Sequence, residues 1–404
     1  MLVEDGVIGL QNPEQAASRP APIGPDGDMT LQDAYFVVTY TPRPDPIPNF
    51  LQELITTYHD LNPSQVTTLD SEPSPLEFMR YVARNTPFVV RGGASSFPAC
   101  KKWNTTYLTT VMSNQTVNVA LTPHGNADSI ITLAPNNTNP PSNTPSLFVK
   151  PYETTEAFPS VLTAIRTQEL NKQDPNPPPT RYAQTQNDNL RNEYATLFAD
   201  VPKSIPFAHI ALEKDPDAIN FWLGNSYSTT ALHKDNYENI YVQVLGRKHF
   251  VLLPPVEAPC VNERAVLAAT YAPRPGMTTK SSEGLGKGDL CVVLDEPSEY
   301  VPFATWDPDE PMLNATPYSR YSRPLRVTLE QGDMLYLPAL WYHKVSQSCN
   351  EEGVCCAVNY WYDLDFSGGF WSAAGFMRSV GLVSLQNREE HGDEDQVEGT
   401  RVDS

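Results

Sequence analysis

His233 and Asp235 stand two residues apart in the run TTALHKDNYENIYVQVLGRKHFVLLPP, from Thr229 to Pro255. Alternate side chains of an extended chain share a face, so this imidazole and this carboxylate can reach one ion from the same side. A further donor lies downstream, His343 in QGDMLYLPALWYHKV. Two histidines and one carboxylate form a set that grips iron(II) on one face and leaves adjacent coordination positions open. Lys248 follows His233 by fifteen positions. An HxD by itself is common in proteins, and most examples are unconnected with any metal. The conjunction with Lys248 and a distal histidine gives this one its weight.

The elements that must hold these residues read as strands. Ile240 to Leu245 is β-branched and aromatic, Gly246-Arg247 follows, and Lys248 to Leu253 is a second such run, which predicts a hairpin. Around His343, Gly332 opens a turn, a short apolar strand runs to Leu337, and Pro338 breaks it. Gly, five residues, Pro, four residues, His is close to the second sequence box of cupin barrels.

The segment DAINFWLGNSYSTTALHKDNYENIYVQVLGRKHFVLLPP, with LYLPALWYHKV and AVNYWYDLDF, closely resembles the Jumonji-C domain-containing protein 7 family. The likeness runs from about Leu69 to about Phe376. It implies a mainly β protein with helical decorations, built on a double-stranded β-helix of the cupin, jelly-roll type with a metal at the barrel mouth. It further implies an iron(II)-dependent dioxygenase that uses 2-oxoglutarate and O2 as cosubstrates and hydroxylates a lysine at C3 in a developmentally regulated GTP-binding protein. A peptidase action is also claimed for the family. Position by position, His233, Asp235 and His343 match the metal ligands. Lys248 matches the base for the distal carboxylate of 2-oxoglutarate, Thr230 the hydroxyl beside it and Tyr182, in RYAQTQNDNL, a tyrosine that reaches the same carboxylate. Asn239 and Asn359 fit asparagines near the metal-bound end of the cosubstrate. Each has a plainer alternative: a solvent-facing Lys248, a Tyr182 packed in the barrel wall, and scaffold asparagines.

Composition narrows the activity. The 404 residues can bury a large core, and the formal net charge is -20. An acidic surface repels phosphate backbones and attracts basic partners, so a lysine-containing protein segment is favoured over nucleic acid, although solubility alone accounts for the charge equally well. No run approaches a membrane span and the N-terminus lacks a signal-like pattern, which implies a soluble intracellular protein. The absence of a strong basic nuclear signal points to the cytoplasm, with the nucleus as the alternative. The cysteines at 100, 260, 291, 349, 355 and 356 have no framework spacing and read as reduced thiols; Cys355-Cys356 lies in an apolar strand-like run, as buried thiols would.

Along the chain, residues 1–45 form a Pro-rich flexible segment, 46–386 the oxygenase domain with N-terminal helices and a C-terminal helix, and 387–404 an acidic disordered tail. NFLQELITTYHDL and SPLEFMRYVARN read as helices, PFVVRGG as a strand, TYLTTVMSN as a helix, QTVNVALTPHG as a strand, and Tyr194 to Val201 as a short helical piece. Asn136 to Pro145 and QDPNPPPTR from Gln173 read as loops flanking the barrel mouth. GGFWSAAGFMRSVGLVSLQ suits either a homodimer interface or a cap on its own barrel.

Three activities are compatible with these residues: a protein lysyl hydroxylase, a hydroxylase of another substrate such as a modified tRNA base, and a peptidase or silent binding module. A basic patch for tRNA does not stand out, and a complete triad with Lys248 argues against silence. The carboxylate that would hold a substrate ammonium stays open among Asp188, Glu238, Asp363 and Asp365.

Overall fold

In the computed structural model of the protein, the described residues are 46–132, 146–275 and 285–391, together with the short strands Gly9–Leu10 and Val38–Thr39. The chain divides into units of residues 1–54 and 55–404. Within the first, Gly9–Leu10 pairs antiparallel with Val38–Thr39. The rest of the segment expected to be flexible lies outside the described residues, as do the loop Asn136 to Pro145 and the end of the tail. The last helix, Phe370–His391, runs into the stretch expected as tail.

In the second unit two antiparallel sheets make the core. The strands Ala218–Gly224, Cys355–Asp363, Tyr237–Leu245 and Met334–Leu337 lie side by side in the larger, which Phe88–Val90 and Thr67–Leu69 extend. The smaller sheet orders Thr230–His233, Tyr342–Ser348, Arg247–Leu253 and Leu325–Leu329. Apart from Arg247–Leu253 and Leu325–Leu329, which pair within the smaller sheet, consecutive core strands alternate between the sheets, which is the winding of a double-stranded β-helix. This winding overturns the predicted hairpin: Tyr237–Leu245 and Arg247–Leu253 share no ladder, because the chain crosses from one sheet to the other at Gly246. Gly246 takes φ +69° there, and a Cβ on it would lie 2.5 Å from the Ser348 carbonyl oxygen. Glycine is required by both the backbone conformation and the close approach.

Side-chain alternation explains why the strands of the larger sheet are buried along most of their length. Trp222, Tyr241 and Ala357 point between the sheets, where they pack with Phe250, Leu252 and Val345 of the smaller sheet. Their neighbours Phe221, Leu223, Ile240, Val242, Val358 and Tyr360 face the other way, against a second core that includes Phe78, Phe158, Leu162 and Ile165 from helices. A sheet covered on both faces has no solvent side to mark with polar residues.

Two of those helices are Pro75–Arg84 and Phe158–Leu170. Ser74 caps the first by accepting from the Glu77 amide at 3.2 Å, Pro75 follows at the first turn, and Asn85 ends it at φ 50°. Asn85 then ties the helix to the loop before His343: its Nδ2 donates to the Ala339 carbonyl at 3.0 Å, and Trp341 Nε1 donates to its Oδ1 at 2.8 Å. Phe158–Leu170 buries Phe158, Val161, Leu162 and Ile165, a helical spacing that the sequence reading passed over. The turn-rich excursion between Leu253 and Leu325 contributes the strands Glu263–Pro273, Leu290–Leu294 and Tyr300–Ala304, and the first of these runs parallel to Ser146–Lys150. The helix Phe370–His391 caps the excursion of its own chain, with Tyr318 and Ser384 hydroxyls 2.6 Å apart and Arg378 paired with Glu263.

Candidate metal centre and cosubstrate pocket

His233 and His343 face each other as a cross-strand pair at the edge of the smaller sheet, with ring centroids 4.1 Å apart. His233 is the last residue of its strand, and Asp235 lies just beyond the strand rather than in it. The carboxylate still comes to the same side, because the Asp235 carbonyl accepts from the Leu340 amide at 2.8 Å and anchors the turn. Asp235 Oδ2 lies 3.8 Å from His233 Nε2 and 3.6 Å from His343 Nε2.

The other nitrogen of each ring is engaged. His233 Nδ1 donates to the Ala231 carbonyl at 2.8 Å, and His343 Nδ1 donates to the Trp341 carbonyl at 3.0 Å. A carbonyl can only accept, so Nδ1 of each ring carries a proton, and each Nε2 is the nitrogen left facing Asp235. Burial and then the neighbouring His233 push His343 down to about 4, which keeps it a neutral ligand at neutral pH. The three donors all lie within 4.8 Å of one another.

Lys248 sits deeper between the sheets. Phe250 and Leu252, in phase with it on the strand, both face inward. Lys248 is only 2% exposed, and its Nζ donates to Tyr182 Oη at 2.7 Å. The ammonium also stands 5.2, 5.9 and 5.7 Å from the ring centroids of Tyr182, Trp222 and Tyr241. Burial opposes its charge, the Tyr182 and Tyr241 hydroxyls favour it, and the balance lies with the charged form. Among the described residues no carboxylate lies within ion-pair distance of it.

Tyr182 reaches this position from outside the barrel. Its strand, Thr180–Tyr182, pairs with Thr116–Thr122, and a backbone bridge from Ala183 to Leu223 docks it on the larger sheet. Gly224 makes room, since a Cβ there would lie 2.7 Å from the Tyr182 ring. The asparagines form a chain in which Trp222 Nε1 donates to Asn359 Oδ1 at 2.8 Å and Asn359 Nδ2 donates to Asn239 Oδ1 at 3.1 Å.

One cavity brings together Tyr182, Thr230, His233, Asp235, Asn239, Lys248, His343 and Asn359. Gln186, Trp222, Tyr241, Phe250 and Trp361 line it as well and were not singled out from the sequence. A signal for two of them was present: Tyr241 lies two residues after Asn239 and Trp361 two after Asn359, so strand alternation puts each on its neighbour's face. Glu238, one residue out of phase, is buried elsewhere against Tyr336 and the Ala339 amide.

Two sheets wound as a double-stranded β-helix, with a histidine–aspartate–histidine set that could hold a metal ion at one edge and a cavity beside it, define a cupin-type protein. The family model described as the cupin-like domain matches residues 73–368. The human bifunctional peptidase and (3S)-lysyl hydroxylase JMJD7 is 36% identical over 305 residues, covering 75% of this chain and 86% of that protein. The Arabidopsis thaliana lysine-specific demethylase JMJ32 is 32% identical over 312 residues, 75% of this chain and 83% of the relative. The Dictyostelium discoideum JmjC domain-containing protein E is 32% identical over 309 residues, 73% and 83% of the two chains. The chain belongs to the JMJD7 family of cupin-like JmjC oxygenases.

Proposed function

We propose that the protein is an iron(II)- and 2-oxoglutarate-dependent hydroxylase that acts on C3 of a lysine side chain in a developmentally regulated GTP-binding protein. The observation that carries the cosubstrate reading is the Lys248 ammonium, buried among phenols and rings with no carboxylate within ion-pair distance among the described residues. A buried charge without a counter-ion costs several kcal/mol, and an anionic ligand removes that cost. The printed name of the human relative and the acidic charge of -20 support the lysine half of the reading.

The donor set fits the metal. Two Nε2 lone pairs and a carboxylate oxygen within 4.8 Å can share one ion whose bonds to such donors are about 2.0–2.2 Å. With iron(II), 2-oxoglutarate and O2 in place, a centre of this kind supplies oxidative decarboxylation of the keto acid coupled to hydroxylation of a C–H bond. The protein's own residues decide the geometry. Lys248 and Tyr182 would hold the distal carboxylate, Thr230 adds a hydroxyl at the same cavity, and Asn239 with Asn359 presents a bonded amide chain. Trp222, Tyr241 and Phe250 keep the wall apolar, so water does not compete for the charge-assisted bond to Lys248.

The helix Phe370–His391 supports a homodimer as well as its cap role, because Phe376 is 72% exposed and Phe370 and Trp371 are each 38% exposed. Light scattering on the purified protein reads this directly.

Iron-loaded protein and its His233→Ala variant, incubated with 2-oxoglutarate, O2 and a lysine peptide from the proposed target, test the activity by peptide mass. A gain of one oxygen, lost in the variant, is the expected result. Succinate without a mass gain would discard that peptide, and a shortened peptide formed without 2-oxoglutarate would replace the reading with the peptidase activity in the relative's name.

A further inference from the structure

We infer that Asp128, which stands beside the residues lining the cavity, is the carboxylate that receives the ammonium of the substrate lysine, which makes it a specificity-determining residue. The inference rests on the lysyl hydroxylase reading above. A lysine oxidised at C3 carries its ammonium beyond the reacting carbon by the rest of the side chain. The group that selects lysine therefore belongs beside the metal ligands rather than among them.

Asp188 and Glu238 are already engaged by their own chain, and Asp363 and Asp365 stand in the open. Asp188 is held by Arg191 through Nε at 2.7 and 2.8 Å. Glu238 is buried and takes the Tyr336 hydroxyl at 2.6 Å and the Ala339 amide at 3.2 Å. Asp365 accepts from the Ser367 amide and, like Asp363, lies exposed on the final stretch of the barrel.

Asp128 sits differently. It precedes the strand Ser129–Thr132, which packs against Thr230–His233. The turn leading to it is locked onto the same segment: the Gly125 carbonyl accepts from the Thr229 amide at 2.9 Å, and a Cβ on Gly125 would lie 1.9 Å from the Tyr227 carbonyl oxygen. On its other side, Gln184 Nε2 donates to Asp128 Oδ2 at 3.3 Å. Gln184 lies between Tyr182 and Gln186, and both of those line the cavity that holds the triad. Asp128 thus bridges the His233 strand and the cavity wall.

Its partners leave its charge unanswered. Gln184 supplies one long amide bond, and among the described residues no lysine or arginine lies within ion-pair distance. Lys150, whose charge reaches it, is paired with Asp295 at 2.7 Å. The exposed Glu153 adds negative field. Burial pushes the Asp128 carboxyl above the usual range. A cation arriving from the substrate would complete the site, as a carboxylate does for Lys248 at the inner end.

Peptide affinity measured without oxygen isolates this role from turnover. Iron-loaded protein with 2-oxoglutarate is titrated under nitrogen with the lysine peptide and with the same peptide carrying norleucine, which keeps the carbon chain and lacks the ammonium. The wild type should prefer lysine at least tenfold, and Asp128→Asn should bring the two affinities within twofold. Asp128→Glu should restore part of the preference, which separates lost charge from a damaged fold. A lysine preference kept in Asp128→Asn overturns the inference. So does a raised 2-oxoglutarate KM with the preference unchanged, which would make Asp128 a positioning residue for His233. Failure of the wild type to hydroxylate any lysine peptide would instead remove the reading underneath.

Discussion

Two buried charges in this protein are handled in opposite ways. Asp200, 4% exposed, is fully answered by its own chain: Lys102 Nζ at 2.7 Å, Trp103 Nε1 at 3.0 Å and Tyr107 Oη at 2.5 Å. Lys248, 2% exposed, receives the Tyr182 and Tyr241 hydroxyls and three ring faces, and no carboxylate among the described residues. Asp200 holds the helices Pro98–Lys102 and Thr105–Val111 to the piece Ala195–Asp200 and does structural work. Lys248 leaves its electrostatic complement to be brought from outside. A buried charge completed within the chain stabilises the fold, and one left incomplete at the end of a cavity marks where a ligand belongs.

Substitution should separate the two. Lys248→Met should lower hydroxylation at least 100-fold, about 3 kcal/mol of lost binding and positioning, with a raised KM for 2-oxoglutarate. Its melting temperature in the absence of cosubstrate should stay level or rise, because a desolvated charge has been removed. Asp200→Ala should do the reverse. It strands the Trp103 and Tyr107 donors and costs about 2–3 kcal/mol in denaturant titration, while kcat/KM under folded conditions stays at the wild-type value.

Acid sharpens the contrast. Burial works against the Asp200 carboxylate, but Lys102, Tyr107 and Trp103 outweigh it and hold its folded value below the ordinary 3.8. The unfolded chain then binds the proton more readily, so the stabilisation is complete above the ordinary value and is lost as pH falls through the folded one. Stability curves of wild type and Asp200→Asn should differ above pH 4 and converge in stronger acid. A gap that persists unchanged would assign Asp200 a packing role only. The smallest effect belongs to the amide chain: Trp222→Phe removes the N–H held by Asn359 and should change the 2-oxoglutarate KM only severalfold, about 1 kcal/mol.

The grouping of His233, Asp235 and His343 was legible in the sequence from the HxD run and the Gly–Pro–His box, although Asp235 lies beyond the strand that the spacing implied, and Lys248 was legible through the family resemblance. Which sheet each strand enters was not. Gly246 reads locally as a hairpin turn, and only the pairing of Arg247–Leu253 with Tyr342–Ser348 and Leu325–Leu329 shows that it is a crossing. Phe158–Leu170 had the spacing of a buried helix and could have been read. Asp128 could not, since it lies more than a hundred residues before His233 in the chain and reaches it through the docked turn at Gly125 and the strand Ser129–Thr132. The cysteines fit their sequence reading: all six are free thiols, with Cys260, Cys355 and Cys356 buried.

Calorimetric titration of 2-oxoglutarate into iron-loaded protein under nitrogen tests the central contrast most directly, with wild type, Lys248→Met and Asp200→Asn compared side by side. The unanswered ammonium predicts tight binding in wild type and in Asp200→Asn, and affinity weaker by at least 100-fold in Lys248→Met. Equal affinity in Lys248→Met and wild type would contradict it, and Lys248 would then be a buried scaffold residue with its charge answered by Tyr182 and Tyr241.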